Sequence, residues 1–133
     1  SAHQGIALNN DLIVKGKWTP ACGAAGVDTL LSRKVNFTAL VASNDDMAIG
    51  AMKQLHEHGV SVPAQVSVIG FDDIALAAYT IPALSSVKIP VTEMIQETIG
   101  RLIFMLGDGA FTPPKTFTGE LIQRDSVAPP ASR

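Results

Sequence analysis

Ala39-Leu40-Val41-Ala42-Ser43-Asn44-Asp45-Asp46 and Val66-Ser67-Val68-Ile69-Gly70-Phe71-Asp72-Asp73 are two short apolar runs, each ending in a polar, acidic tip. A run that is apolar at successive positions fits a strand dry on both faces, as in the middle of a parallel sheet. In open α/β sheets, ligands collect just beyond the carboxyl ends of such strands. The two tips therefore put Asn44 and Asp72 where a small polar molecule would be gripped, and the chain reads as part of a binding cleft.

The flanking sequence fits this reading. Upstream, Leu12-Ile13-Val14 begins a short strand that ends near Gly16-Lys17-Trp18. Thr19-Pro20 then supplies a helix N-cap and a proline for the first helical position. Ala24, Val27 and Leu31 follow at helical spacing, which predicts a helix over 20–34. Gly23 and Gly26 weaken that helix, but they permit close packing. Strands are expected over about 38–43 and 66–71. Between them Met47, Ala48, Ala51, Met52 and Leu55 form one helical stripe, and Gly59 stops it as a left-handed cap. The order is β-α-β-α-β, whose parallel crossovers are nearly always right-handed.

Past Asp72 the pattern changes. An irregular stretch with Tyr79 and Ile81-Pro82 leads to a strand at 85–89. Thr92 is expected to cap a long helix with Ile95, Ile99, Leu102, Ile103 and Leu106 on its apolar face, ended by Gly107 and Gly109. A loop at Phe111-Thr112-Pro113-Pro114 precedes an extended segment over about 116–127, and the Pro129-Pro130 tail is expected to be loose. The long helix does not continue the simple alternation, which suggests that it packs against a second lobe outside this chain.

Length and composition narrow the function. The 133 residues can hold one domain with a real core. A formal charge of -2 and a pI of about 5.8 argue against this chain gripping phosphate backbones by itself. No apolar run is long enough to cross a bilayer. The single Cys22 rules out an intrachain disulfide framework and fits a reducing compartment. Ser1-Ala2-His3-Gln4-Gly5 has neither an initiator Met nor a signal-peptide pattern and reads as a start inside something longer.

The candidate site residues differ in what their chemistry offers. The Asn44 amide can both donate to and accept from a hydroxyl, and a carboxylate at Asp72 can accept two hydroxyl protons. Trp18, the only tryptophan, shares their sheet edge if the strands are parallel, and an aromatic face stacks on the C–H face of a sugar or purine. The competing structural roles are helix capping for Asp45, turn formation for Asp73 and core packing for Trp18. Asp72 and Asp73 are neighbours in an extended segment and point apart, unlike a catalytic pair. His56 and His58 do not share a helical face, so a zinc pair is not expected. Cys22 fits a small buried hydrophobe. No phosphate-binding loop, nucleophile elbow or paired CxxC occurs. The expectation is no catalysis, no metal and no cofactor.

Taken in order, Ser43-Asn44-Asp45-Asp46-Met47-Ala48-Ile49-Gly50-Ala51, Gly59-Val60-Ser61-Val62-Pro63, Val66 to Asp73, Ile81-Pro82-Ala83-Leu84-Ser85-Ser86-Val87 and Arg124-Asp125-Ser126-Val127 resemble the C-terminal part of a LacI/GalR-family transcriptional regulator. The resemblance implies an α/β fold of the periplasmic-binding-protein-like type I class, a parallel sheet flanked by helices. Residues 12–84 would form the core of the C-terminal lobe, 85–115 a crossover strand and helix belonging to a second lobe, and 116–133 the return segment and tail. It implies effector contacts at Trp18, Asn44 and Asp72, and a homodimer interface using Ile49 and Tyr79. It further implies a cytoplasmic repressor of sugar utilisation, β-glucosides in particular. Operator DNA would be contacted only through an N-terminal domain outside these residues. Lys17 departs from the acidic residue that members often carry before the aromatic platform, and the arginine that usually contacts effector upstream is not in this sequence. The rivals are an exported sugar-binding protein of a transporter and a glycoside-processing enzyme.

Overall fold

The computed structural model describes residues 9–107, 109–111 and 113–130. The Ser1–Gly5 stretch, with His3, and Thr112 of the expected loop lie outside them. Helices α1 (Pro20–Ser32) and α2 (Asp45–Glu57) alternate with strands β1 (Ala39–Val41), β2 (Ser67–Phe71) and β3 (Ser85–Lys88), and α3 (Val91–Leu106) precedes β4 (Glu120–Ile122). The sheet order is β1-β2-β3-β4. The first three strands are parallel, and β4 returns antiparallel against β3, with Val87 opposite Leu121. The sheet is therefore mixed, with its parallel part where the two apolar runs lie.

Local chemistry sets the helix ends. The Thr19 hydroxyl accepts from the Cys22 N–H at 3.3 Å with Pro20 at the first position. At the end of α2, the Gly59 N–H donates to His56 O and the Val60 N–H to Leu55 O, both at 2.9 Å. These two bonds require the left-handed backbone that Gly59 supplies with φ of 72°.

The core is sealed between α1, α2 and the sheet by Val27, Ala48, Ala51, Leu55, Val68 and Leu84. Burying each of the larger side chains contributes about 1.5–3 kcal/mol. Two glycines let the helices touch. A Cβ on Gly23 would lie 2.0 Å from the Met47 carbonyl oxygen, and one on Gly50 would lie 1.8 Å from that of Pro20. No side chain fits at either position without moving backbone.

Three expectations need correction. Leu12-Ile13-Val14 is not a strand. Asn10–Leu12 is a short 3-10 turn capped by the Asn9 side chain, and the residues after it run without a ladder partner. A strand exists only by pairing, and an open groove separates this segment from β1. Arg33 holds the segment by donating to the carbonyls of Asp11 and Ile13 at 2.8 and 3.0 Å. Thr92 does not cap α3: the helix begins at Val91, the cap position is Pro90, and no side chain caps it. The segment 116–127 is strand only at Glu120–Ile122; its continuation is tied down by side-chain bonds.

α3 stands apart. None of its residues is buried, and Ile95, Ile99, Leu102, Ile103 and Leu106 are each more than half exposed.

Candidate functional site

The β1–β2 register places the site. Val41 pairs with Ile69, so Asn44 and Asp72 each stand three residues beyond the same rung, at the carboxyl ends of adjacent parallel strands. Trp18, just before α1, joins them because the Asn44 Nδ2 donates to the Trp18 carbonyl at 3.4 Å. The Trp18 side chain is not core: the residue is 69% exposed, so its ring face is free to stack. The three residues share one edge of the sheet. That edge is open; the apolar groove of about 310 Å³ beside β1 is lined by none of them.

Asn44 is buried and already partly used. Its Oδ1 accepts from the Met47 N–H at 2.9 Å, which makes Asn44 the N-cap of α2. The expectation that Asp45 would cap is corrected. The cap needs extended backbone one residue ahead of the helix, and Asn44 has it (φ -153°, ψ 171°). One amide hydrogen and one oxygen lone pair of Asn44 are not used by these two bonds.

Asp72 is exposed and has φ of 106°, a strained value for a non-glycine residue. Its N–H donates to Val87 O at 2.9 Å, which holds the backbone in that shape. Its carboxyl pKa is raised, chiefly by partial burial and then by the carboxylates of Asp45 and Asp46. Asp72 therefore feels the start of α2 although it lies on a different strand tip.

Beneath this edge is a network that sequence reasoning missed. Asp45 is fully buried. Its Oδ1 accepts from the Ser86 hydroxyl at 2.6 Å and its Oδ2 from the Ile74 N–H at 2.8 Å. A Cβ on Gly70 would lie 2.1 Å from that Oδ1, so the glycine in β2 makes room for the carboxylate. A glycine inside an otherwise apolar strand was the available signal. Asp73 is more than a turn residue: it accepts from Arg124 at 2.7 Å, and its N–H donates to Ser86 Oγ at 3.1 Å. Arg124 also donates to Leu84 O, and the Ser126 hydroxyl donates to Val68 O at 2.6 Å while accepting from the Ser85 N–H at 2.8 Å. The tail thus ties β2 and the Asp73 turn beyond it to the start of β3.

The other named residues are scattered. Ile49 is half-buried and packs against the core, whereas Tyr79 is 80% exposed beside Ile81, itself 98% exposed. His58 pairs with Asp28 at 2.7 Å, bridging α2 to α1. Cys22 is half-buried, its thiol pKa lowered first by the Thr19 hydroxyl and then by the Lys17 backbone. Among the described residues, no group of three or more His, Cys, Asp or Glu could hold a metal, and no helix is long and apolar enough to cross a membrane.

Residues 3–127 match the family of the periplasmic binding protein-like domain. The HTH-type transcriptional regulator AscG of Escherichia coli K12 is 74% identical over 130 residues, covering 98% of this chain and 39% of AscG. The chain thus spans about two fifths of that relative's length. A solved sugar-binding transcriptional regulator of the LacI family from Escherichia coli, complexed with phosphate, superposes with a TM-score of 0.87 at 75% identity over 96% of this chain and 46% of its own. The transcriptional regulator CelR in complex with cellobiose gives a TM-score of 0.87 at 28% identity, over 94% of this chain and 38% of its own. With its parallel strand tips, its capped helices and these matches, the chain belongs to the periplasmic binding protein-like domain family, in the form carried by LacI-family transcriptional regulators.

Proposed function

We propose that the chain is the ligand-gripping part of the sugar-sensing domain of a transcriptional repressor, with a β-glucoside as effector. The observation that carries this is the shared sheet edge: an exposed tryptophan whose backbone carbonyl accepts from the half-used Asn44 amide, and a carboxylate at the same offset on the adjacent strand. Trp18 stacks on a pyranose face, Asn44 bridges a hydroxyl with its remaining donor and acceptor, and Asp72 accepts from hydroxyls. The solved relative bound to cellobiose, a β-linked glucose disaccharide, supports this substrate class.

The effector would sit between this lobe and a second one to which α3 belongs. It shifts the lobe arrangement only by its differential affinity for the two states. A homodimer using Ile49 and Tyr79 would pass that shift to DNA-binding domains outside these residues, in the cytoplasm. Transcriptional regulators dominate the likeness, so the reading includes no catalysis.

Calorimetry on the full-length protein with cellobiose tests the site. Trp18→Ala should weaken binding by about 1–3 kcal/mol through lost stacking and burial. Asp72→Asn should lose most binding while folding normally, because Asn tolerates a positive φ. Unchanged affinity in both variants sinks the assignment.

A further inference from the structure

We propose that Asp45, acting with Ser86, is the positioning residue that sets the spacing of the two effector-gripping side chains, Asn44 and Asp72. The inference rests on the effector reading above and adds to it a residue that does not itself touch the ligand.

Asp45 stands between the two grips. It is the first residue of α2, directly after Asn44, so its backbone moves with the capped helix start that holds the Asn44 amide. Its side chain leaves α2 for the other strand tip. It lies against the Gly70–Ser86 pair of the β2–β3 ladder, where a Cβ on Gly70 would be 2.1 Å from its Oδ1. From there Oδ1 accepts from the Ser86 hydroxyl at 2.6 Å and Oδ2 from the Ile74 N–H at 2.8 Å. The Ser86 oxygen in turn accepts from the Asp73 N–H at 3.1 Å.

The turn after β2 is therefore held at three successive N–H groups. Asp72 donates to Val87 O, Asp73 to Ser86 Oγ, and Ile74 to Asp45 Oδ2. The turn needs such support, because Asp72 and Asp73 both have positive φ, 106° and 54°. Strained backbone of this kind persists only where its surroundings over-determine it. With the last two bonds removed, the Asp72 N–H is the one anchor left of the three. The backbone then relaxes towards an ordinary φ, and the Asp72 carboxylate swings out of register with Asn44.

The burial of Asp45 points the same way. Its exposure is 0%, and among the described residues no cation pairs with it. Burying a carboxylate without a counter-ion costs stability, so packing alone gives no reason for it. Aiming the turn does. Two oxygens on a short stem hold a hydroxyl and an N–H at once, and so join α2, β3 and the turn in one unit.

The test uses the full-length protein with cellobiose. Ser86→Ala should weaken binding about tenfold, the worth of one well-placed hydrogen bond, while circular dichroism shows the fold retained. In the Asp72→Asn background the same change should cost less than about twofold more, because a residue that acts through Asp72 has nothing left to aim. Asp45→Ala should lose at least as much as Ser86→Ala. Asp45→Asn should recover about fivefold of that loss, since an amide of the same shape can accept from Ile74 and donate to Ser86. Without ligand, Ser86→Ala should speed amide hydrogen exchange at Asp73 and Ile74 about tenfold and leave Ala42 as it is. The proposal is overturned if Ser86→Ala binds like the parent, or if its loss is the same with and without Asp72. It is also overturned if Asp45→Asn binds no better than Asp45→Ala, or if Asp73 and Ile74 exchange no faster. A parent that does not bind cellobiose, or an Asp72→Asn variant that binds as well as the parent, sinks the effector reading itself and this inference with it.

Discussion

The two ends of the fold answer the same kind of sequence in opposite ways. α2 and α3 are both amphipathic, but the apolar stripe of α2 disappears into a core with Leu55 fully buried, whereas Ile95, Ile99, Leu102, Ile103 and Leu106 of α3 are each more than half exposed. The difference lies in what each helix meets. α2 crosses α1 at paired glycines and lies on β2, while α3 has no such partner among the described residues. An apolar face is a request for a partner, and only the assembled structure grants it.

That contrast can be broken, starting with the largest effect. Gly50→Ala should destabilise the chain by about 3 kcal/mol, read by denaturant unfolding, because its Cβ would sit 1.8 Å from the Pro20 carbonyl oxygen and α1 must move away. A loss below about 0.5 kcal/mol would mean that the helix contact is looser than described. Next, Arg124→Ala should cost about 2 kcal/mol. It leaves the Asp73 carboxylate, only 13% exposed, without its cation; the figure is set below that of a fully buried pair because of this residual exposure.

The opposite outcome is expected on α3. Ile103→Ser should change stability by less than about 0.5 kcal/mol and reduce self-association measured by light scattering. A large loss there would reveal a partner for α3 within the chain.

The smallest effect concerns pH. Burial and the neighbouring carboxylates of Asp45 and Asp46 raise the Asp72 pKa in the folded state above its unfolded value. The folded state thus holds that proton more tightly, so ionised Asp72 costs stability above the folded pKa and costs nothing below the unfolded one. Asp72→Asn should therefore unfold slightly later than the parent at neutral pH and equally at strongly acidic pH. Cellobiose affinity of the full-length protein should begin to fall on acidification at a higher pH than an ordinary carboxylate would give. A pH profile unaltered by Asp72→Asn would remove Asp72 from the site.

Much of the fold was legible. Thr19-Pro20 announced α1, the Met47–Leu55 stripe announced α2, and Gly59 marked where α2 stops. Each is a local signal, carried by cap chemistry or by helical period. Of the candidate site, the equal offset of Asn44 and Asp72 from two similar apolar runs was legible. The network beneath it was not. Asp45 and Asp46 look alike in sequence, yet only Asp45 meets Ser86 and Ile74, and that meeting joins residues 41 and 29 positions apart.

The sequence by itself determined the helices, the parallel strands and the edge on which the polar tips gather, because period and capping are properties of neighbouring residues. Tertiary structure alone decided that Leu12-Ile13-Val14 lies unpaired, that Asn44 rather than Asp45 caps α2, and that the tail ties β2 to the start of β3 through Arg124 and Ser126. A strand, a buried carboxylate and an ion pair each need a partner distant in the chain, and only the closed fold says which partner arrives.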